Sequence, residues 1–132
     1  MDELSDKDLE IFEGKNFAHL ATVMPDGSPQ VTPVWVSVEG DQILVNTSEG
    51  RVKTNNVRRD PRIALSILDA DEPYGRVVQV RGRVKEMIPE GAVEHIDALA
   101  KKYLSKDRYP WLQEDETRVI LKIEPEYVNH SA

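Results

Sequence analysis

The segment Thr47-Ser48-Glu49-Gly50-Arg51-Val52-Lys53-Thr54-Asn55-Asn56-Val57-Arg58-Arg59-Asp60-Pro61-Arg62 follows a short run, Ile43-Leu44-Val45-Asn46, that reads as a strand. Residues 50–62 hold five basic residues and one acid, a net charge of +4. The whole chain carries -7, so the remainder carries -11. Hydroxyl groups, a glycine and alternating cations at a helix start are the groups with which proteins hold phosphate. The segment alone fits a phosphate site and a solvated basic helix equally well, so the neighbouring strands must decide.

The composition is that of a single globular domain, which we assign to residues 1–132. Apolar residues make up 39% of the chain and charged residues 31%. The absence of cysteine excludes disulfides, thiol nucleophiles and Cys-type metal sites. The acidic start, Met1-Asp2-Glu3-Leu4, lacks the apolar region of a signal peptide, and no apolar run is long enough to span a membrane. We therefore expect a cytoplasmic protein without a membrane partner, and the net charge of -7 argues against a nucleic-acid partner.

Hydrophobic periodicity and turn residues divide the chain into short strands and a few helices. A helix is predicted after Ser5, which has Asp8 at capping-box spacing, a second over residues 50–59, and a third after Gly91. The apolar stripe of the third consists of Val93, Ile96, Leu99, Ala100 and Tyr103. Strands are predicted over residues 16–24, 30–38, 43–47, 62–68 and 76–88, and around Val119, Leu121 and Ile123, with loops over 69–75 and 105–116. Six strands in meander order predict a small, mostly antiparallel barrel, mostly β with added helices (α+β).

The predicted strand 30–38 is apolar on both faces. Val34 and its even-numbered neighbours suit a barrel core, but Val31, Pro33 and Trp35 also form an apolar face, where a one-sided strand should be polar. Pro33 cannot donate to a ladder, so this strand should lie at a sheet edge or carry a bulge. The second face suits a flat aromatic ring, a subunit interface, or burial under a helix of the same chain.

The predicted strand 76–88 carries a second group of cations. Arg81, Arg83 and Lys85 share one face, and Arg76 precedes them. They form either a second basic track or the solvated outer wall of the barrel.

The standard catalytic arrangements are absent from the sequence. His19, His95 and His130 show no metal-ligand spacing, and His95 is expected to be exposed on a polar helix face. We therefore predict no metal and no catalytic side chain, and infer that a cofactor supplies the chemistry.

Several stretches together resemble the pyridoxamine 5'-phosphate oxidase-like, flavin-binding split-barrel proteins, and in particular their branch that uses the deazaflavin coenzyme F420. The stretches are Phe17–Val23, Asp26–Val36, Thr47-Ser48, Gly50-Arg51, Lys53, Asn56, Arg59–Arg62 and Val78–Gly82. The resemblance covers residues 9 to 127 and implies an FMN-binding split barrel, a split β-barrel homodimer with cofactor sites at the subunit interface. The C-terminal Arg-x-His segment of true pyridoxamine-phosphate oxidases is missing, which argues against vitamin B6 oxidation.

The resemblance also implies the cofactor-binding residues. Thr47, Ser48, Arg51, Lys53 and Asn56 would hold the cofactor phosphate. The ring system would lie against Val31, Thr32, Pro33, Val34 and Trp35. Gln79 and Arg81 belong to the matching strand Val78–Gly82, and the second subunit would close the site.

The interpretation favoured by the sequence is an F420H2-dependent reductase that transfers a hydride to an unsaturated small-molecule organic acceptor. F420 carries a phosphodiester and an acidic glutamyl tail, which would match two separate basic tracks, whereas FMN with its single phosphate needs only one. An FMN-dependent oxidoreductase of the same fold and a non-catalytic flavin or deazaflavin carrier remain alternatives. A nucleic-acid binder using residues 50–62 is a weaker one, because aromatic residues are not interleaved with the cations.

Overall fold

The computed structural model describes residues 2–72 and 74–131; Pro73, in the predicted loop 69–75, lies outside the described residues. These residues form three helices and seven strands. The helices are α1 (Asp6–Glu13), α2 (Val52–Arg59) and α3 (Ala92–Leu104). The strands are β1 (Ala18–Val23), β2 (Pro29–Val34), β3 (Val36–Glu39), β4 (Gln42–Ser48), β5 (Arg62–Leu68), β6 (Val77–Ile88) and β7 (Arg118–Ser131). No helix within the described residues is both long and apolar enough to cross a membrane.

The seven strands form one antiparallel sheet in the order β2-β1-β5-β6-β7-β4-β3. The two edge strands, β2 and β3, are consecutive in the chain and separated only by Trp35. Flat edges would lie about 29 Å apart at about 4.8 Å per strand, so a one-residue connection requires the sheet to curl until its edges meet. The mostly β, α+β split barrel predicted from the sequence is confirmed.

The prediction of one continuous strand over residues 30–38 is wrong, because the chain changes edge at Trp35. The amide N–H of Val36 donates to the hydroxyl of Tyr103 at 3.2 Å, and the carbonyl of Val36 accepts from Lys102 Nζ at 2.7 Å. The Tyr103 hydroxyl also donates to the carbonyl of Asn16 at 2.6 Å. Side chains of α3 therefore take backbone groups that a continuous ladder would use. The expectation that Pro33 lies at a sheet edge is confirmed, since β2 is an edge strand.

The barrel interior is filled by aliphatic side chains from every strand and is closed at one end by α1. The N-terminus of α1 is fixed by the capping box between Ser5 and Asp8, and the helix buries Ile11 and Phe12 against the core. The strand β6 alternates as predicted, with Val78, Val80, Gly82 and Val84 buried. The residues between them are exposed.

A bulge between β6 and β7 depends on Gly82. The register of the two strands shifts between Arg81 and Gly82, where Pro125 lies opposite. A Cβ at Gly82 would lie 2.2 Å from the carbonyl oxygen of Glu124, which no side chain tolerates. The bulge therefore needs a glycine, and it lets the long strands β6 and β7 follow the curvature of the barrel.

The helix α3 packs outside the barrel, against β7 and β4. Its predicted stripe is confirmed at Ile96, Leu99, Ala100 and Tyr103, whereas Val93 is 40% exposed and Ala92 is buried instead. Ile96, Leu99 and Tyr103 form a second apolar cluster with Trp35 and Tyr109. This cluster supports one wall of the site described next.

Candidate functional site

The turn between β4 and α2 is held by hydroxyl groups. Gly50 adopts φ +89°, a left-handed conformation that a side chain would strain. The buried hydroxyl of Thr54 donates to the carbonyl of Ser48 at 2.8 Å, and it lies 3.2 Å from the Thr47 hydroxyl, from which it can accept. The Arg51 Nε donates to the Ser48 hydroxyl at 2.9 Å. The turn therefore fixes the direction in which Arg51 and Lys53 leave the helix start.

Three cations meet at an open cavity of about 260 Å3. They are Arg51, Lys53 and Arg118. Arg118 is only 5% exposed and is held by Asn46 Oδ1, which accepts from its Nε at 2.8 Å, and by Glu116 Oε2, 2.7 Å from its Nη1. The same Glu116 oxygen lies 3.9 Å from Arg51 Nη2. Within the part of the chain that the structure describes, one carboxylate thus serves two guanidinium groups.

Lys53 has no acid within ion-pair distance among the described residues. Its pKa is lowered, first by burial and then by the charges of Arg51 and Arg118. Like charges brought together at a partly buried position are unfavourable unless an anion joins them. The arrangement is therefore suited to bind a phosphate or a carboxylate.

The opposite side of the cavity is aromatic. Trp35 stacks on Tyr103 with ring centres 5.2 Å apart and planes 9° apart, and it meets the edge of Tyr109 at 6.0 Å. Tyr109 in turn meets Trp111 at 5.6 Å, nearly perpendicular. Phe17 and Trp111 also line the cavity and are each 56% exposed. A flat, apolar ring system could lie against this wall while its charged substituent reaches the cations.

Five of the predicted cofactor-binding residues line this cavity: Pro33, Val34, Trp35, Arg51 and Lys53. Thr47 and Ser48 are buried next to it and hold the turn. Asn56 is also buried, but it points toward β1, where its Nδ2 donates to the Thr22 hydroxyl at 3.0 Å. The structure therefore gives the Asn56 side chain a role in fastening α2 to the barrel.

The remaining predicted residues lie outside the cavity of a single chain. Thr32 follows Val31 along β2, and its hydroxyl is buried without a hydrogen-bond partner among the described residues. Val31 is 61% exposed on the outer face. Gln79 and Arg81 are exposed on β6, and the Arg81 guanidinium lies 4.5 Å from the ring centre of Tyr127. One chain alone does not bring Gln79 and Arg81 to the cations.

Six residues that line the cavity were not identified as site residues from the sequence: Phe17, Asn46, Ile96, Tyr109, Trp111 and Arg118. Tyr109-Pro110-Trp111 offered a signal, because two aromatic residues stand in a mostly polar loop. Asn46 at the end of a strand, and Arg118 among many cations, offered none.

The expectation that His95 is simply exposed is wrong. Its ring is partly buried between Ser37 and Asn46, 2.9 Å from the Ser37 hydroxyl and 3.0 Å from Asn46 Nδ2. Burial lowers its pKa; the nearby charge of Glu39 opposes this shift and that of Arg118 adds to it.

A larger cavity of about 530 Å3 lies between α1 and β6, away from these residues. Two of its basic side chains already have acidic partners: Arg76 lies 3.3 Å from Asp69, and the ring of His130 lies 2.8 Å from Asp8. Its lining contains three acidic residues, Asp8, Glu10 and Glu72, and the two basic residues Lys7 and Arg76, so the smaller cavity is the stronger candidate for an anionic ligand. No group of three His, Asp or Glu side chains suited to a metal ion occurs in residues 2–72 and 74–131.

Comparison with known proteins agrees with this architecture. The family model for pyridoxamine 5'-phosphate oxidase matches residues 4–132. The structure of an F420 reductase is 30% identical, with a TM-score of 0.81, over 91% of this chain and 94% of that chain. A conserved hypothetical protein from Mycobacterium tuberculosis shares the fold at 23% identity and a TM-score of 0.74, over 96% of this chain and 84% of that one. General Stress Protein 26 from Bacillus anthracis does so at 17% identity and a TM-score of 0.68, over 92% and 88%.

Proposed function

The chain belongs to the pyridoxamine 5'-phosphate oxidase family, and from that premise we propose that it is an F420H2-dependent reductase. The family places it among flavin- and deazaflavin-binding oxidoreductases. The observation that carries the finer assignment is one cavity in which Lys53, with no acidic partner among the described residues, faces an aromatic wall around Trp35. The likeness to an F420 reductase at 30% identity supports the choice of a deazaflavin.

The residues present fit such a cofactor at both of its ends. Arg51, Lys53 and Arg118 would hold its phosphodiester. Arg51 and Arg118 share the single carboxylate of Glu116, and Lys53 has no acidic partner among the described residues, so the three cations are not neutralised. Pro33, Val34 and Trp35 would lie against its ring. The edge of β2 has no strand partner among the described residues, so its backbone groups are free to bond the polar edge of that ring.

A second copy of the chain would complete the site. Paired residues form rows that run across the five strands β2, β1, β5, β6 and β7. One row consists of Val31, Ala21, Ala64, Arg81 and Tyr127, and the next row on the same face consists of Pro33, His19, Ser66, Gln79 and Asn129. The outer face that carries the exposed Val31 is therefore the face that carries Gln79 and Arg81. A homodimer packed on this face would cover the apolar residues and bring Gln79 and Arg81 of one subunit toward the cavity of the other.

The side chains around the cavity provide binding and orientation. The aromatic wall excludes water from one side of the ring, and the cations fix its position through the phosphate. The chemistry that reduced F420 would supply when bound is hydride transfer to one carbon of an electron-poor double bond in the acceptor. Solvent at the open mouth supplies the proton that completes the reduction. We also propose that the protein acts in the cytoplasm and that its acceptor is a small organic molecule.

FMN is the second candidate, and one observation favours it. The three cations of the cavity are sufficient for a single phosphate, and the outer cations Arg81, Arg83 and Lys85 lie elsewhere on one chain. Under this reading the outer cations serve solubility alone.

Titration of the purified protein with F420 and with FMN, followed by absorbance and by fluorescence quenching, distinguishes these assignments. Tighter binding of F420, with a preference that shrinks as salt is added, is the expected result. Equal affinities with equal salt dependence would favour FMN. Binding of F420 without any acceptor-dependent oxidation of its reduced form, across a panel of unsaturated acceptors, would indicate a carrier.

A further inference from the structure

A hydrogen-bonded chain of side chains links His95, on α3, to the cations of the cavity. Asn46 stands at its centre: Asn46 Nδ2 donates to the carbonyl of Ala92 at 2.8 Å, and Asn46 Oδ1 accepts from Arg118 Nε at 2.8 Å. A carbonyl can only accept and a guanidinium can only donate. These two partners therefore fix which end of the Asn46 amide faces which neighbour.

The fixed amide determines the state of the histidine. Asn46 Nδ2 lies 3.0 Å from His95 Nδ1, so Nδ1 must accept and carries no proton. The proton of the neutral ring is then on Nε2, which donates to the Ser37 hydroxyl at 2.9 Å. Geometry alone thus requires a neutral His95 with a single tautomer.

Protonation of His95 would disrupt this chain. A proton on Nδ1 would face the Asn46 amino group, donor against donor, at 3.0 Å. Rotating the amide by half a turn would relieve that contact, but it would set the amide oxygen against the Ala92 carbonyl, acceptor against acceptor, and the amino group against Arg118 Nε, donor against donor. Arg118 would lose the acceptor that aims it at the cavity, and Glu116 would be its remaining side-chain hydrogen-bond acceptor among the described residues.

We propose that His95 is a positioning residue for the anion site, acting through Asn46 on Arg118, so that the anion binds preferentially when His95 is neutral. The proposal deepens the proposed function and rests on it, because it names what holds one of the three cations. The charged groups that face the ring are Glu39 on β3, which is paired with Lys122 of β7 at 3.2 Å, and Arg118 on β7. The strand β4 contributes the uncharged Asn46. The lowered pKa of His95 agrees with a ring kept neutral near pH 7.

The sign of the coupling makes the proposal testable. Simple electrostatics predicts that a protonated His95 near the cavity attracts an anion, whereas the hydrogen-bond chain predicts the reverse. Sulfate is a suitable anion, because its charge is constant between pH 5 and 8. The only two tryptophans, Trp35 and Trp111, both line the cavity and report its occupation by fluorescence.

The experiment is an NMR titration of the three histidine rings with and without saturating sulfate, using His95→Asn to assign the His95 signal. We expect sulfate to lower the pKa of His95 by about 0.5 or more, which by linkage is about a threefold or greater loss of sulfate affinity on protonation. In Asn46→Leu the hydrogen bonds that link His95 to Arg118 are lost, and sulfate should raise the pKa of His95 instead. His95→Asn keeps an acceptor near the position of Nδ1, so it should bind sulfate as the wild type does at pH 7.5 and without weakening at pH 5.5. His95→Leu should bind sulfate more weakly at pH 7.5.

A pKa of His95 that rises or stays constant with sulfate in the wild type would overturn the proposal while leaving the anion site intact. Sulfate that quenches neither tryptophan, or binds Lys53→Met as well as the wild type, would overturn the anion site and this proposal with it.

Discussion

Replacing Lys53 by methionine should move cofactor affinity and thermal stability in opposite directions. Lys53 is partly buried beside Arg51 and Arg118 and has no acid partner among the described residues, and its pKa is lowered by burial and by those two charges. Methionine keeps the length of the side chain and removes the charge. The free protein should therefore lose an unfavourable charge contact, while the complex loses a charge-assisted hydrogen bond.

The expected magnitudes follow from these two terms. A charge-assisted hydrogen bond contributes about 1.5–3 kcal/mol, so F420 or FMN should bind about 10- to 150-fold more weakly. Relief of repulsion should stabilise the free protein by about 0.5 kcal/mol, which corresponds to a rise in Tm of about 2 °C for a chain of this size. In the wild type, affinity should also fall with rising pH earlier than an ordinary lysine predicts, because the anion requires the protonated amine.

Fluorescence titration for affinity and calorimetry for Tm provide the two readouts. Lys101→Met is the matched control: Lys101 is exposed and, among the described residues, pairs with the exposed Asp107 alone, so neither quantity should change measurably. Unchanged cofactor affinity in Lys53→Met would refute the assignment of the cations to an anion site. A clear fall in Tm would refute the view that Lys53 is held in an unfavourable position.

Four further predictions address the fold and the assembly. Gly82→Ala should lower the free energy of unfolding by about 2–4 kcal/mol in urea denaturation, since its Cβ would meet the Glu124 carbonyl, whereas Gly75→Ala has space and should cost far less; equal losses would contradict this reading of the bulge. Asn56→Ala should cost about 1–3 kcal/mol in the same assay, because it removes the donor to the buried Thr22 hydroxyl, and an unchanged midpoint would show that this bond is not needed. The pKa of Lys102 is lowered to about 8 by burial, so the unfolded chain binds the extra proton between about pH 8 and pH 10.5 and stability should rise with pH there; in Lys102→Met this contribution should vanish, and identical pH slopes would count against it. The wild type should sediment at twice the mass of the 15.0 kDa chain and Val31→Asp as a monomer, and a monomeric wild type at micromolar concentration would exclude the proposed dimer.

The parts of the fold that the sequence predicts well are those decided by local chemistry. Ser5 and Asp8 form the predicted capping box, Pro33 lies at a sheet edge, and β6 alternates between buried and exposed residues as its sequence does. The turn after β4 presents Arg51 and Lys53 at a cavity, as the spacing of the basic segment indicates. In each case the determining groups are within a few residues of one another.

The parts that the sequence did not predict depend on partners far along the chain. The break at Trp35 arises because Tyr103, 67 residues from Val36, takes its amide, and periodicity cannot show such a bond. His95 stands on a face of α3 that looks polar in sequence, yet Asn46 from β4 covers it. Arg118 is one of 17 basic residues, and only the folded structure shows that Asn46 and Glu116 bury it beside Lys53. Tertiary contacts of this kind override local pattern.

The position of β7 between β6 and β4 has a consequence for the order of events during synthesis. Without β7 the sheet would consist of two parts, β2-β1-β5-β6 and β4-β3, with no strand hydrogen-bonded to both. A nascent chain therefore cannot join these parts into one sheet until residues 118–131 have left the ribosome. Arg118, the first residue of β7, is also the third cation of the cavity. We therefore expect barrel assembly and completion of the candidate anion site to occur together, late in synthesis, so that an incompletely synthesised chain has neither.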